Sequence, residues 1–515
     1  MPPTDSHPTG TVPDIQQAIG LALQHHTAGR LPEAESIYQQ ILHTDPNQPV
    51  ALHLLGVIAH QVGKNDIAVD FITKALDVKP DYAEAHVNLG NSLKELGRLE
   101  DSAASYNKAL EITPGIAAAH YNLGVVYKEL GRLDESVASY RRTIAIAPDY
   151  AEAHNNLGNA LHDLGQSEDA VIGYRDALAA RSDYAEAHCN LGNVLRHLGK
   201  ADEAAASCQE ALANQPEYAE AHSNLGIAFQ DLGKLEEAAV SLRKAISINP
   251  GSAVAQFNLH SLLIDPDDMA PSINCLKRAV EINPGNAYYR FMLGVLMDFC
   301  GDPEAASHLD IVESGNDTDR ARLDAWGYIQ SANEKLPPMI GSSIEAFELG
   351  IDAAPKDGLV LEFGVRFGTT IRQVAELANQ DVHGFDSFEG LPEAWHHEPK
   401  GSYSTHGVVP SVAENVILHD GWFEDTLPGF VEKYPDPVRF INMDCDLYSS
   451  TKTVLDSLAR QIVPGTVLVF DEYIGHEKWR EHEFKAFQEA VATYGWKYEY
   501  LCFSFMTKQA AVRII

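Results

Sequence analysis

Residues 81–103 read DYAEAHVNLGNSLKELGRLEDSA, and nearly the same phrase returns at residues 149–171 and 183–205. The last two copies begin 34 residues apart, at Asp149 and Asp183 (183 − 149 = 34). A sequence period of this length is typical of stacked helix pairs, which bury a continuous core only together and which usually bind a partner. A glycine occupies the same slot of each copy, at Gly56, Gly90, Gly124, Gly158, Gly192, Gly226 and Gly294.

A second glycine and a proline mark the ends of the two helices in each copy. The second glycine follows the first by seven residues and suits the left-handed backbone of a helix end. The proline stops the second helix, so each copy is predicted to be helix, glycine turn, helix and link. The two sets are Gly63, Gly97, Gly131, Gly165, Gly199, Gly233 and Gly301, and Pro46, Pro80, Pro114, Pro148, Pro216, Pro250 and Pro284.

This pattern resembles the tetratricopeptide repeat, copy for copy. The resemblance implies an α-solenoid of about nine repeats over residues 13–312, after a short disordered leader at residues 1–12. The eighth repeat departs from the pattern because His260 takes the place of the first glycine and Pro266 and Asp267 lie near the turn. We expect that repeat to be distorted, or to bend the solenoid.

A column of asparagines lies two residues before the first glycine of successive repeats. In tetratricopeptide proteins the helix that carries it lines the concave groove, and an amide both donates to and accepts from a peptide backbone. The column resembles the asparagine ladder of the O-linked N-acetylglucosamine transferase and predicts capture of a protein or peptide. The alternative is that these amides satisfy neighbouring helix ends. The column comprises Asn88, Asn122, Asn156, Asn190, Asn224 and Asn258.

Beyond about residue 317 the period stops, and strand-like apolar runs alternate with helical stretches. This alternation predicts an α/β fold with a doubly wound, mostly parallel sheet in residues 341–515, joined to the repeats by a helix within 313–340. Ligands of such sheets bind at the carboxyl ends of the strands. Acidic residues collect there, and carboxylates that meet in a cleft require a cation or a hydroxyl-rich ligand. They are Glu362, Asp386, Asp420, Asp444, Asp446, Asp471 and Glu472.

Five segments carry a second resemblance, in the order LEFGVRFGTTI, GFDSFEGLP, GWFEDTLP, MDCDLYSSTKTVLDSL and VFDEY. They are similar to class I S-adenosylmethionine-dependent methyltransferases of the macrocin O-methyltransferase type. The resemblance implies Mg²⁺ near Asp444 or Asp446 and Asp471, with Glu472 standing where the family usually has a second aspartate. It implies a cofactor site at Glu362, Gly364, Gly368, Asp386, Ser387 and Asp420.

Methyl transfer to an alcohol requires a base for the hydroxyl proton, and a hard cation lowers the pKa of that hydroxyl. Asp446 is the predicted base if Asp444 and Asp471 hold the cation, and Asp444 and Asp446 can exchange these roles. His476 is the alternative base, although a surface-loop histidine is the simpler interpretation. Residues 395–410, which include His396 and His397, are predicted to cover the acceptor, or else to be a disordered insertion.

Composition excludes several other classes. The formal net charge of −35 argues against binding nucleic acid or anionic membrane, and no apolar run is long enough to span a bilayer. The six cysteines are scattered, which favours free thiols in a reducing cytoplasm.

The sequence therefore predicts a cation-dependent O-methyltransferase that acts on a sugar or glycan hydroxyl, with repeats that dock a protein or glycoprotein. Two alternatives stay open: a methyltransferase of protein side chains, and a binding scaffold whose methyltransferase domain has decayed.

Overall fold

The structure is a computed structural model that describes residues 15–313, 315–395 and 399–515. The chain forms two compact units, residues 1–187 and residues 188–515, called here the N-terminal and C-terminal units. The predicted leader at residues 1–12 and the pair His396 and His397 lie outside the described residues. The predicted boundaries at residues 312 and 340 stay predictions.

The N-terminal unit consists of consecutive helix pairs. Each first helix has 13 residues and each second helix has 14, and successive helices share small apolar cores rather than one large one. The helices are α1 (Ile15–Thr27), α2 (Leu31–Thr44), α3 (Pro49–Gln61), α4 (Asn65–Val78), α5 (Ala83–Glu95), α6 (Leu99–Ile112), α7 (Ala117–Glu129), α8 (Leu133–Ile146), α9 (Ala151–Asp163) and α10 (Ser167–Ala180), and the division between units falls within α11 (Ala185–His197).

Two glycines explain how the helices of a pair meet. A Cβ on Gly90 of α5 would lie 2.7 Å from the ring of Tyr106 on α6, so only glycine admits the buried tyrosine. Gly97 in the turn has a φ of 70°, the left-handed conformation predicted for the end of the first helix. His86 bonds through Nε2 to the carbonyl of Pro80 at 3.0 Å, and the equivalent histidines repeat this contact. These histidines, His86, His120 and His154, therefore fix the link between successive repeats.

The asparagine column is half-buried, and four of its members bond through Nδ2 to the preceding repeat. The Nδ2 of Asn122 donates to Asn91 Oδ1 at 3.0 Å, and that of Asn156 donates to the hydroxyl of Tyr121 at 3.0 Å. Asn88 Nδ2 lies 2.8 Å from His53 Nε2. These bonds join side chains of adjacent first helices rather than helix ends. The Oδ1 of Asn156 also accepts from Asn155 Nδ2 at 3.4 Å.

The C-terminal unit contains the later helix pairs, a linking helix and the α/β domain. Its helices are α12 (Ala201–Asn214), α13 (Ala219–Asp231), α14 (Leu235–Ile248), α15 (Ala253–Ser261), α16 (Ala270–Ile282), α17 (Ala287–Phe299), α18 (Ala305–Glu313), α19 (Asp317–Ala332), α20 (Ser343–Ala353), α21 (Thr369–Ala378), α22 (Phe423–Lys433), α23 (Tyr448–Ser457) and α24 (Glu483–Tyr494).

The irregular eighth repeat is a contact point for the α/β domain. Its first helix, α15, has nine residues and ends at Ser261, directly after the buried His260. A Cβ on Gly341 would lie 1.8 Å from the carbonyl oxygen of Ser261, so the two backbones touch. Gln230 Nε2 donates to both Ser261 Oγ at 3.0 Å and Gly341 O at 3.2 Å. The repeat that departs from the pattern is therefore the one that packs against the start of the α/β domain at Gly341.

Seven strands form one sheet in the order β3-β2-β1-β4-β5-β7-β6. The first five are parallel, and β7 runs antiparallel to both of its neighbours. Every residue of β4 is buried, as expected of a parallel strand covered on both faces. The solenoid and the α/β sheet confirm the predicted fold class. The strands are β1 (Leu359–Phe363), β2 (Val382–Asp386), β3 (Val416–Asp420), β4 (Val438–Met443), β5 (Ile462–Phe470), β6 (Tyr498–Phe503) and β7 (Ala510–Ile514).

One apolar core runs from the last repeats into the sheet. Phe291 of α17 packs edge-on against Phe505 at 5.0 Å, and Trp326 of α19 lies 6.0 Å from Phe503. The hydroxyl of Tyr288 donates to Phe505 O at 2.7 Å. The repeats and the sheet of this unit therefore form one body. Within the described residues, no helix combines the length and apolar character needed to cross a bilayer.

Candidate active site

A cavity of about 340 Å³ opens at the carboxyl ends of the parallel strands. The strand order runs β1-β2-β3 in one direction and β4-β5 in the other, so β1 and β4 flank the point where the order reverses. Crevices at such points are the usual ligand sites of open α/β sheets. Seven of the predicted site residues line the cavity: Gly364, Asp386, Ser387, Asp444, Asp446, Asp471 and Glu472.

Gly364 and Asp386 shape one wall of the cavity. Gly364 has a φ of 94°, and a Cβ there would lie 1.7 Å from the carbonyl oxygen of Asp444, so glycine alone fits between β1 and β4. The Asp386 carboxylate at the end of β2 accepts the backbone N–H of Arg366 at 2.7 Å and that of Phe388 at 2.7 Å. These bonds fix its orientation and leave lone pairs on both oxygens for a ligand.

The cavity lining also carries three aspartates that disfavour each other's ionisation. Burial, and then the charges of Glu472 and Asp471, raise the pKa of Asp446 to about 7. Burial and the charge of Glu472 likewise raise the pKa of Asp471 to about 7, and Gln509 donates to its Oδ1 at 2.6 Å. Burial and Asp471 raise the pKa of Asp444 well above its ordinary value. The site favours bound protons or a cation at neutral pH.

Glu472 differs from the three aspartates because it is already paired. Lys508 Nζ lies 2.9 Å and 3.1 Å from its two carboxylate oxygens. Behind it, the fully buried Glu483 accepts the backbone N–H of Glu472 at 3.2 Å, while its Oε1 has no hydrogen-bond partner. Within the described part of the chain, no group of three or more His, Cys, Asp and Glu side chains is placed to hold a metal ion. The predicted metal set of Asp444, Asp471 and Glu472 stays a prediction.

Three predicted cofactor residues lie outside the cavity lining. Glu362 is fully buried and accepts from Thr370 at 2.7 Å and from Asn442 at 3.1 Å, and burial raises its pKa to about 8. Gly368 caps the start of α21 with a φ of 76°. Asp420 is exposed at the end of β3, while the next residue, Gly421, lines the cavity.

Other cavity residues were not singled out from the sequence. Arg366 and Trp422 stand within the LEFGVRFGTTI and GWFEDTLP segments, so those motifs contained the signal. Trp395 and Tyr403 line the cavity from the segment that was predicted to cover it. Arg366, Tyr403 and Asp446 have φ values of 47°, 65° and 58°, a conformation that is uncommon outside glycine and concentrates at functional sites.

The interpretation of His476 as a surface-loop residue is wrong. Its side chain is buried, and Nε2 lies 3.0 Å from the carbonyl oxygen of Glu472. It packs with Trp395 and His482, whose ring centroids lie 6.5 Å and 5.9 Å away. The loop after β5 therefore buries His476 against other side chains, which the sequence pattern did not indicate.

Family models identify both parts of the chain. Models of the tetratricopeptide repeat match residues 16–40, 49–82, 90–131, 126–165, 158–197 and 183–250. A model of a methyltransferase domain matches residues 361–473, which contain every residue of the cavity lining. The chain therefore carries tetratricopeptide repeats and a methyltransferase domain, as the two resemblances predicted.

Individual relatives resemble one part or the other. The chain is 35% identical to the 8-demethyl-8-(2,3-dimethoxy-α-L-rhamnosyl)-tetracenomycin-C 4′-O-methyltransferase of Streptomyces olivaceus, over 24% of this chain and 54% of that enzyme. It thus spans about half the length of this curated relative. Among solved structures, it is 28% identical to YrrB, described as a TPR protein with an unusual peptide-binding site, over 36% of this chain and 95% of that one, with a TM-score of 0.32. A thermophilic TPR protein of Thermus thermophilus is 26% identical over 36% of this chain and 100% of its own, with a TM-score of 0.30.

Proposed function

We propose that this protein is an S-adenosylmethionine-dependent O-methyltransferase whose acceptor is a hydroxyl of a sugar or glycan. The observation that carries the proposal is the cavity at the carboxyl ends of β1, β2, β4 and β5. Its lining brings Gly364 and Asp386 together with three further aspartates, within the segment that matches a methyltransferase domain. Such a site suits a ligand with both hydroxyls and positive charge.

The residues of the cavity bind the cofactor and hold it in one orientation. Asp386, held by two backbone N–H groups, accepts the ribose hydroxyls, and Gly364 lets the ligand approach the backbone. Ser387 also lines the cavity, and Asp420 stands at its rim beside Gly421. Glu362 and Gly368 do not line the cavity but support it, because they fix β1 and the start of α21. S-adenosylmethionine, when bound, supplies a methyl group on a sulfonium sulfur, and its displacement depends chiefly on such positioning.

The carboxylates of the three aspartates in the cavity lining fit Mg²⁺, which prefers carboxylate oxygens. Asp444 and Asp471 would hold it, since both line the cavity and both have raised pKa values that a cation would reverse. Glu472 fits less well because Lys508 occupies its carboxylate. When bound, the cation lowers the pKa of a hydroxyl.

Asp446 is the proposed base. It lines the cavity beside Asp444, and its pKa of about 7 places it near the value that suits a general base at neutral pH. This carboxylate would take the proton that the acceptor hydroxyl loses when S-adenosylmethionine supplies its methyl group. Asp444 takes this role if Asp446 holds the cation.

The sugar acceptor and the docking role draw on separate observations. The Streptomyces relative is named as a 4′-O-methyltransferase of a rhamnosyl compound. Trp395, Tyr403 and Trp422 give the cavity aromatic walls with polar edges, a surface that suits a sugar ring. For the repeats, the match to tetratricopeptide models and the column of half-buried asparagine amides support binding of a protein or glycoprotein backbone.

The test is methyl transfer from labelled S-adenosylmethionine to free sugars, to glycosylated compounds and proteins, and to unglycosylated proteins, read by mass spectrometry. The proposal expects sugar-bearing acceptors to gain the mass of one methylene, and Asp446→Asn to lower that rate strongly. Replacing Asn88, Asn122 and Asn156 by Ala should reduce methylation of protein-borne sugar more than of free sugar. Methylation confined to unglycosylated protein would contradict the sugar acceptor.

A further inference from the structure

We infer that the loop between β6 and β7, residues 504–509, links the last repeat to the cavity, and that Gln509 at the end of this loop is a positioning residue for Asp471. The inference rests on the proposed function, in which Asp471 holds Mg²⁺. It is carried by the strand register, by the hydrogen bonds of Gln509 and by the contacts that the loop makes with α17.

The strand register brings the end of the loop against the cavity. Phe470 at the end of β5 pairs with Ala510 at the start of the antiparallel β7. One step further along the ladder, Gln509 therefore lies opposite Asp471. Gln509 is buried, and its Nε2 donates to Asp471 Oδ1 at 2.6 Å. Within the described residues, this bond leaves Oδ2 of Asp471 without a hydrogen bond and available to a cation.

The amide of Gln509 is held in the orientation that serves the carboxylate. The hydroxyl of Thr507 donates to Gln509 Oε1 at 2.9 Å, so Nε2 is the end that is left to donate to Asp471. The backbone of the loop is closed on itself, because the carbonyl of Gln509 accepts the N–H of Ser504 at 2.9 Å and Ser504 Oγ accepts the N–H of Thr507 at 3.1 Å. A donor fixed in this way orients a metal ligand from behind.

The middle of the same loop rests on the last repeat, formed by α17 and α18. The hydroxyl of Tyr288 on α17 donates to the carbonyl of Phe505 at 2.7 Å, and Phe291 packs edge-on against the ring of Phe505. Arg322 of α19 lies 4.3 Å from the ring centroid of Tyr288. The repeat therefore fixes the middle of a loop whose end holds Asp471.

Lys508 gives the loop a second connection to the end of β5. Its ammonium group pairs with Glu472, and its carbonyl accepts the N–H of Tyr473 at 3.0 Å and that of Ile474 at 3.1 Å. Its φ of 59° is uncommon outside glycine and persists only where neighbouring contacts hold it. A displacement of the loop at Phe505 would therefore be transmitted to residues 471–474.

Calorimetric titration of the full chain with Mg²⁺, in the presence of saturating S-adenosylhomocysteine, tests the role of Gln509. Gln509→Met keeps the length of the side chain but removes the donor. It should weaken Mg²⁺ binding about 10- to 100-fold, the usual cost of losing a group that orients a metal ligand, and leave the affinity for S-adenosylhomocysteine near that of the wild type.

Gln461→Met is the matched control for Gln509→Met. Gln461 is also buried and lies just before β5, at the other end of the strand that leads to Asp471, where its Nε2 donates to the carbonyls of Tyr434 and Asp436. Its loss should lower the melting temperature and leave the affinity for Mg²⁺ unchanged.

Two further pairs of variants test how the amide and the loop are held. Thr507→Val should weaken Mg²⁺ binding several-fold, and Thr507→Ser, which keeps the hydroxyl, should restore it. Tyr288→Phe removes the bond to the loop and should also weaken Mg²⁺ binding several-fold. Tyr289→Phe should behave as the wild type, because Tyr289 stacks on Phe257 rather than on the loop.

Unchanged Mg²⁺ affinity in Gln509→Met would overturn the inference, and so would a wild-type protein that binds S-adenosylhomocysteine but not Mg²⁺. An equal loss in Gln461→Met would show that the glutamine only stabilises the fold, which also overturns it. Unchanged affinity in Tyr288→Phe would overturn the link to the repeat. A wild-type protein that binds neither ligand would instead remove the proposed function itself, so the two failures are distinguishable.

Discussion

The ion pair between Lys508 and Glu472 distinguishes Glu472 from the three aspartates of the cavity lining. The lysine takes both oxygens of Glu472, so Asp444, Asp446 and Asp471 remain as the carboxylates without a cationic side chain bonded to them in the described residues. Their raised pKa values follow from burial and mutual repulsion. The proposed binding of Mg²⁺ therefore depends on these three aspartates rather than on Glu472.

Asp471→Asn should lower turnover by roughly a hundredfold or more while the affinity for S-adenosylmethionine stays near that of the wild type, because the change replaces the charged carboxylate that is proposed to hold Mg²⁺ by a neutral amide. Steady-state rates and calorimetry on the same preparations check this. Glu472→Gln is the matched control and should have the milder effect on rate. Full activity of the wild-type protein in the presence of a strong chelator would contradict the metal role.

Glu362 makes stability depend on pH. Burial raises its pKa from 4.5 to about 8, so the folded state keeps a proton that the unfolded state loses as the pH rises through this interval. The carboxyl therefore destabilises the fold increasingly between about pH 4.5 and pH 8, and by a constant amount above. Glu362→Gln should raise the unfolding temperature relative to the wild type more at pH 9 than at pH 5, as thermal melts can measure.

The exposed Glu376 of α21 provides the control for this comparison. Glu376→Gln should shift the melting temperature little at either pH. An advantage of Glu362→Gln that is the same at both pH values would show that Glu362 is ionised in the folded state, contrary to its burial.

Sequence patterns could predict which strand ends hold acidic residues, since each follows a short apolar run, and five of the seven predicted acidic residues do line the cavity. Sequence patterns could not predict which side chains these acidic residues contact. Lys508 lies 36 residues from Glu472 and meets it because β5 and β7 are neighbours in the sheet. Glu362 was counted as a ligand residue because of its position, whereas its side chain turns to Thr370 and Asn442.

The loop after β1 and the helix α21 rest on the turns of two repeats. Arg372 pairs with Asp202 at 2.9 Å, and Gln373 Nε2 donates to the carbonyl of Asp231 at 2.9 Å. Lys200 lies 5.5 Å from the ring centroid of Phe367. The repeats of this unit therefore support the segment that carries Arg366.

Gln373→Ala should weaken binding of S-adenosylmethionine several-fold, because it frees the first turns of α21 and leaves the Asp231 carbonyl without this donor, at a cost of about 1 kcal/mol. Calorimetry measures the affinity, and a thermal melt measures the accompanying loss of stability. Glu376→Ala on the exposed face of α21 is the control. Unchanged affinity for Gln373→Ala would mean that the repeat turns do not influence the cofactor loop.

The helix pairs and the α/β alternation follow from the sequence because their periods are local: 34 residues for the repeats, and apolar runs separated by amphipathic helices for the sheet. The contact between the eighth repeat and Gly341 has no such signature. His260 marked the repeat as irregular, but only the fold shows that Ser261 meets the domain that follows.

At the scale of the whole molecule, the last repeats and the methyltransferase domain lie in the same compact unit. Residues 188–515 form one compact unit, in which Phe291 and Trp326 pack against Phe505 and Phe503. The methyltransferase domain thus relies on the last repeats for part of its core.

A fragment of residues 341–515 should therefore expose Phe503 and Phe505 and aggregate, because it lacks the aromatic side chains that cover them. A fragment of residues 188–515 should fold and bind S-adenosylmethionine. Size-exclusion chromatography, circular dichroism and calorimetry compare the two. A soluble 341–515 fragment with the affinity of the full chain would contradict this division of the molecule.

The central claim is that the cavity between β1 and β4 binds S-adenosylmethionine through Asp386. Calorimetric titration of the full chain with S-adenosylmethionine, with and without Mg²⁺, tests it most directly. Asp381→Ala, an exposed change just before β2, is the control for Asp386→Ala at its far end. The account predicts saturable binding by the wild type and by Asp381→Ala, and loss of binding in Asp386→Ala. Absence of binding by the wild type under both conditions, or full binding by Asp386→Ala, would contradict it.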